Sequence, residues 1–331
     1  MKKATALILA LLMMMSSLVG CGKKNDAANA DKTDKLKVVT TIFPEYDWVK
    51  EILGDKAGDA EITMLLDKGG DLHSYQPTAD DIDKIADCDL FIYVGGESDD
   101  WVKDALKNST NKDMKVINLL DVLKDSIKTE ETKPGMQAEK EHEDGKNDEH
   151  EEKEYDEHVW LSLKNVKPLV EKISEDLQEL DPENKEIYAS NTKAYVKKLS
   201  DLDAKYRKTV DTAKRKTVLF GDRFPFRYLT DAYGLNYYAA FAGCSAETEA
   251  SFKTVSFLAK KMDELKLPCV LTIEGSKHKI AETIVKNTAE KNQKVRTMDS
   301  MQSITSKDAD KGATYLSIME KNLSVLKKAL N

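Results

Sequence analysis

The chain has 331 residues, 33% charged and 40% hydrophobic, with 51 Lys plus Arg against 59 Asp plus Glu, a formal net charge of −8. That length buries a sizeable core and suits two compact units, and the negative balance gives no basic footprint for nucleic acid. With 15 glycines and 7 prolines the chain is neither collagen-like nor low-complexity. The acidity is local: residues 139–158 hold eleven acids and three lysines, which accounts for the whole net charge.

In chain order, Lys2-Lys3 precede a short apolar run, and Leu18-Val19-Gly20 stand before Cys21. A positive start, a hydrophobic stretch and small residues at the cut make 1–20 a secretory signal. The Leu-x-Gly-Cys ending resembles the bacterial lipobox, which implies cleavage before Cys21, lipidation of its thiol and an extracytoplasmic body anchored to the cell membrane. No later stretch reaches the ~18 apolar residues that would span a bilayer. Residues 21–35 carry too little apolar surface to offset their ordering entropy and read as a flexible tether. Cys88, Cys244 and Cys269 show no CxxC or CxxH spacing, so they read as packed, inert thiols, although the place of Cys244 after a strand could bring it near a cleft.

The mature body alternates strands and helices. Leu36–Ile42 is β-rich and leads past Pro44 into a helical pattern through Trp48 and Ile52; Glu61–Leu65 leads to a helix from about Thr78; Leu90–Val94 leads through Gly95-Gly96 to a helix with Trp101 and Leu106; Lys115–Asn118 is a further strand. This is the pattern of a parallel, doubly wound α/β sheet. Residues 124–157 lack hydrophobic periodicity and read as a disordered surface insertion, after which His158–Leu161 is strand-like. From Pro182 to about Thr212 apolar residues recur at spacings near 3 and 4 behind an Asp181 N-cap, predicting a single helix ~45 Å long. Strand candidates then resume at Lys216–Phe220, Asn236–Phe241, Cys269–Ile273 and Lys294–Met298. The expected organisation is an N-terminal α/β lobe over 36–180, a linking helix over 181–212 and a C-terminal α/β lobe over 213–331.

Only five histidines are present. His73 stands between a strand and a helix, where open α/β sheets present ligands, and His158 opens an ordered run; imidazole is the commonest biological metal ligand. Thr41-Ile42-Phe43-Pro44, Gly70-Asp71-Leu72-His73-Ser74-Tyr75-Gln76-Pro77, Glu157-His158-Val159-Trp160-Leu161 and the Pro182 helix with Tyr188 and Asn191 resemble, in order, the zinc and manganese substrate-binding lipoproteins of ABC importers, the ZnuA/TroA-like family. The resemblance implies two α/β lobes bridged by a rigid helix, modest tilting rather than a wide hinge, and a metal bound in the cleft between the lobes. It also implies an ABC permease and its ATPase as partners.

Carried over residue by residue, the resemblance gives His73 and His158 as the first two ligands. The family's third ligand falls at Gly221, which has no side chain to offer, and its fourth, a carboxylate, falls at Asp299. To complete the set an oxygen of Glu274 is expected, with neighbouring Asp222, which could instead cap a helix, or a water as the other candidates; Glu274 could also stand behind the ligands, bonded to one of them or to Arg223. Two imidazoles with two carboxylates suit manganese better than three imidazoles would, whereas the insertion, with His142 and His150 among its acids, resembles the loop of zinc-specific members and would hold ions weakly. Binding by neutral imidazoles implies affinity that falls as pH drops through the histidine range, ~6.5 for the free side chain. His278 reads as an exposed loop residue. No nucleophile elbow, P-loop, dinucleotide fingerprint or HExxH is present, so no catalytic machinery is legible; with the resemblance, the reading is a non-enzymatic receptor, expected to be a monomer, and a surface metal-dependent hydrolase and an adhesin or interaction lipoprotein are the alternatives.

Overall fold

The structure, a computed structural model, describes residues 35–137, 154–245, 249–275 and 277–331. The signal segment, nearly all of the tether, Cys21, His142 and His150 lie outside the described residues. β1 (Leu36–Thr40), β2 (Ala60–Met64), β3 (Leu90–Tyr93) and β4 (Lys115–Asn118) form one parallel sheet in the order β2-β1-β3-β4. β5 (Thr217–Phe220), β6 (Asn236–Ala239), β7 (Cys269–Thr272) and β8 (Lys294–Thr297) repeat that order strand for strand as β6-β5-β7-β8. In β3 and β7 nearly every residue is buried, the mark of central strands covered on both faces. Both strand orders reverse beside the first strand, so each sheet has a switch-point crevice at its carboxyl end.

The helices are α1 (Phe43–Leu53), α2 (Ala79–Ala86), α3 (Val102–Lys107), α4 (Leu119–Leu123), α5 (Leu163–Leu180), α6 (Lys185–Asp211), α7 (Arg227–Tyr233), α8 (Phe252–Leu265), α9 (Lys279–Lys286), α10 (Ser306–Asp310) and α11 (Tyr315–Ala329). α6 has 27 residues, about 40 Å of helix, and follows a single 3₁₀ turn at Pro182–Asn184. Its buried stripe is Tyr188, Thr192, Tyr195, Leu199, Leu202, Tyr206 and Val210, steps of 3 and 4 that keep one face inward, while Ile187 is exposed. Tyr206 donates to the Met319 carbonyl on α11 at 2.6 Å, so α6 is fixed to the second lobe as well as the first. One continuous apolar core runs from Val38 of β1 to Leu330, and a second, smaller one fills the outer face of the second sheet around Leu258, Met262 and Val270. Among the described residues no helix is long and apolar enough to cross a membrane.

Two expectations are corrected. His158–Leu161 is a 3₁₀ turn over Val159–Leu161 rather than a strand: all three residues are buried between the lobes, so no alternation is imposed, and α5 starts two residues on. The flanks of the 124–157 insertion are ordered. Thr129 pairs with Tyr155 in an antiparallel bridge, the Lys128 N–H donates to the Tyr228 hydroxyl at 2.9 Å, Arg227 donates to the Thr129 carbonyl at 2.9 Å, and the Gln137 N–H donates to the Ala240 carbonyl at 2.8 Å. Partners from the second lobe, distant in sequence, satisfy backbone groups that the charged sequence could not satisfy by itself. The arm thus leaves the first lobe and lies on the second.

Asp47 on α1 is buried and accepts from the Tyr315 N–H at 2.9 Å, tying α1 to the start of α11. Burial pushes its carboxyl up to about 7, against the lowering effect of that hydrogen bond. A carboxyl whose pKa is raised on folding stabilises the fold only while protonated, so its contribution is lost as pH climbs from the unfolded value of 3.8 through about 7. Asp47→Asn is therefore expected to stabilise the metal-free protein by about 1–3 kcal/mol at pH 8 and to change little at pH 4. Thermal midpoints at both pH values check it; an equal shift at both would rule out the ionisation as its cause.

Candidate metal centre

His73 sits in a one-turn 3₁₀ segment, Leu72–Ser74, whose N-cap Asp71 accepts from the His73 N–H at 3.1 Å. The other carboxylate oxygen of Asp71 pairs across the cleft with Arg223, which follows β5. Burial would push the Asp71 carboxyl up, but the guanidinium of Arg223 and the contacts with His73 together hold the group below its ordinary value. A second cross-lobe contact has the backbone N–H and hydroxyl of Ser306 donating to Asp67, each at 2.6 Å.

His158 is wholly buried at the end of the ordered arm. Asp156, two residues earlier, accepts from both its backbone N–H and its ring Nδ1 at 3.0 Å. An ionised carboxylate only accepts, so the His158 hydrogen is on Nδ1 and the lone pair on Nε2. His73 is arranged alike: its Nδ1 lies 2.8 Å from the Ser98 hydroxyl and 3.4 Å from a Glu157 carboxylate oxygen, which favours the hydrogen on Nδ1. Burial would raise the Glu157 carboxyl, but the adjoining His73 ring and hydrogen bonding with Ser98, whose N–H donates at 2.9 Å, prevail and keep it below its usual range. Both Nε2 lone pairs then meet at a separation of 3.2 Å. Facing lone pairs repel unless a cation lies between them, and zinc–nitrogen bonds of about 2.0–2.1 Å at a tetrahedral angle place two ligand nitrogens about 3.3 Å apart.

Among the described residues the metal-competent group at this point is His73, His158 and Cys244, whose donor atoms all lie within 4.8 Å of one another. Cys244 follows β6 as His73 follows β2, the equivalent strand of the other sheet. Its N–H donates to Glu130 of the ordered arm at 2.8 Å, and burial together with the charges of Glu130, Asp156 and Glu157 pushes its thiol far up. Neighbouring Gly243 lies against the His158 ring: a Cβ there would stand 3.1 Å from Cε1 and 3.0 Å from the Phe224 carbonyl oxygen, so glycine permits the close approach. Gln302 is buried with its Nε2 3.4 Å from His158 Nε2, and its Oε1 has no hydrogen-bond donor.

The structure brings His73 and His158 together and leaves the other expected ligands outside that group. Glu274 accepts from the Ser300 N–H and hydroxyl, both at 2.6 Å, and from the Gln302 N–H at 3.3 Å, so it braces the loop that carries Gln302. Asp299 accepts from the Met301 N–H at 2.8 Å. Burial and the charge of Asp299 push the Glu274 carboxyl up, and burial does the same to Asp299. Asp222 accepts from the N–H groups of Arg223 and Ile273, joining two loops rather than capping a helix, since α7 starts only at Arg227. His278 is half-buried at the start of α9, not on an exposed loop. With Asp71, Arg223 and Lys277 it lines a cleft of about 580 Å³ that reaches His73. A second cleft, of about 270 Å³, reaches His73 and Cys244 between Glu97, Glu130, Glu154 and Glu157.

The sequence reading set Cys244 aside and did not single out Asp156, Ser98 or Gln302. The legible signals were the two acids directly before His158 and the matching positions of residues 73 and 244 after equivalent strands.

Two parallel sheets turning their carboxyl ends on one pair of imidazoles define a two-lobed α/β binding protein. The profile of the ZnuA family, described as zinc-uptake complex component A periplasmic, matches residues 38–329, and the chain belongs to that family. It is 32% identical over 317 residues to the high-affinity zinc uptake system protein ZnuA of Bacillus subtilis (strain 168), covering 95% of this chain and 93% of that one. It is also 32% identical over 330 residues to the zinc-binding lipoprotein AdcA of Streptococcus pneumoniae (strain R6), covering 99% of this chain and 61% of AdcA, so it spans about three-fifths of that relative. The crystal structure of the Zn(II)-bound ZnuA-like domain of AdcA superposes with a TM-score of 0.67 at 30% identity, covering 89% of this chain and 99% of that domain.

Proposed function

We propose that this protein is the extracytoplasmic capture component of a zinc importer. It takes a divalent ion from solution between its lobes and passes it to an ABC permease driven by an ATPase. It is held at the cell membrane through a lipid on Cys21, works as a monomer and performs no catalysis. The observation that carries the reading is the pair of Nε2 atoms 3.2 Å apart, with the Asp156 carboxylate on Nδ1 of one ring and the Ser98 hydroxyl on Nδ1 of the other, so that the lone pairs face each other. The names of the relatives support zinc as the cargo in place of manganese. The 3.2 Å separation is close to what two nitrogens on one tetrahedral zinc ion require. Calorimetric titration is expected to find one zinc ion per chain with submicromolar affinity and far weaker binding of manganese and magnesium. Binding only at millimolar zinc would refute the reading, and turnover of an ester or phosphoester by the zinc-loaded protein would favour a hydrolase.

A further inference from the structure

The zinc-capture reading leaves open what completes the coordination of an ion held by His73 and His158, and the inference drawn here rests on that reading. Residue 221 cannot supply a donor. A Cβ on Gly221 would lie 2.6 Å from the Cα of Ala281, a backbone atom of α9, so the helix occupies the space a side chain would need. Glu274 and Asp299 are engaged with the backbone of the 300–302 loop.

We propose that Cys244 is the third protein ligand and binds the ion as a thiolate. Its sulfur already lies within 4.8 Å of both imidazole nitrogens. Zinc bonds of about 2.3 Å to sulfur and 2.0–2.1 Å to nitrogen require a separation of about 3.6 Å, and rotation about the Cys244 Cα–Cβ bond can close the difference. The second cleft is lined by Cys244 together with four glutamates, a field that concentrates cations there. A separate observation marks the same point as a ligand position. Gln302 is 5% exposed, its amide stands against His158 Nε2, and its carbonyl oxygen has no donor.

On binding, the sulfur–hydrogen bond breaks, its electron pair goes to the ion and the proton leaves to water. Two neutral imidazoles and one thiolate leave the zinc site with one positive charge, facing Asp156 and Glu157. The consequence is selectivity. Thiolate favours borderline-soft zinc over hard manganese, so the sulfur makes this centre zinc-selective where two imidazoles with carboxylates would not.

The test uses the full chain with Cys21→Ser, so that this thiol cannot contribute. Loaded with Co(II), it is expected to show a near-ultraviolet thiolate-to-cobalt charge-transfer band. Adding Cys244→Ser, a change of little volume, is expected to abolish the band, weaken zinc binding by about 100-fold and alter manganese binding less than about threefold, with the thermal midpoint of the metal-free protein kept. Tight cobalt binding without the band, a band that survives Cys244→Ser, or undiminished zinc affinity in that variant would overturn the thiolate and leave zinc capture standing. Failure of the Cys21→Ser chain to bind either zinc or cobalt would sink both.

Discussion

His73→Ala and His158→Ala are each expected to weaken zinc binding by about 10²–10³-fold. Zinc held by four protein donors near neutral pH is bound by about 10–16 kcal/mol, so one donor carries roughly 3–4 kcal/mol. The two variants are expected to differ in stability. Removing the His158 ring leaves buried Asp156 without its ring partner, so His158→Ala lowers the thermal midpoint as well, whereas His73 is partly open to the clefts and its removal is milder. Asp156→Ala keeps both imidazoles but frees the His158 ring to turn or change tautomer, and an expected loss of about 10–100-fold measures what that carboxylate contributes to orientation. Calorimetric titration of the three variants beside thermal melts in chelator checks the set. Unchanged affinity in both histidine variants would move the ion elsewhere.

Glu274→Ala is expected to cost about 3 kcal/mol of stability. It removes the acceptor of the Ser300 N–H and hydroxyl and of the Gln302 N–H, and Ser300 and Gln302 are both buried. Each stranded buried donor costs about 1–3 kcal/mol. Glu274→Gln keeps an acceptor and lifts the repulsion with Asp299, so its loss is smaller. Zinc affinity should fall only modestly in either variant, through displacement of Gln302. A fall in affinity as large as that of His73→Ala, with the melting temperature unchanged, would instead make Glu274 a metal ligand.

Local pattern determined a great deal here. The eight strands lie within two residues of where β-rich runs bounded by loops put them, and the central ones, buried on both faces, need a continuous apolar run that little else supplies. The stripe of Tyr188, Tyr195, Leu199, Leu202 and Tyr206 marked α6, and two histidines at strand or arm ends marked the cleft. The motifs carrying the family resemblance lie in those same stretches.

Only the tertiary structure decided the rest. Cys244 reads more as an inert thiol than as a cleft residue until the two sheets, repeating one strand order, place it beside His73 and His158. That Glu274 braces the 300–302 loop with both carboxylate oxygens, and Asp299 with one, shows only when the loop's N–H groups are placed. The charged flanks of the insertion read as disorder until Tyr228, Arg227 and Ala240 of the other lobe supply their backbone partners. The physical reason is common to all three. Periodicity encodes which face of an element is buried, whereas a ligand set is fixed by lone pairs meeting between residues 85 apart in the chain, which no local spacing records.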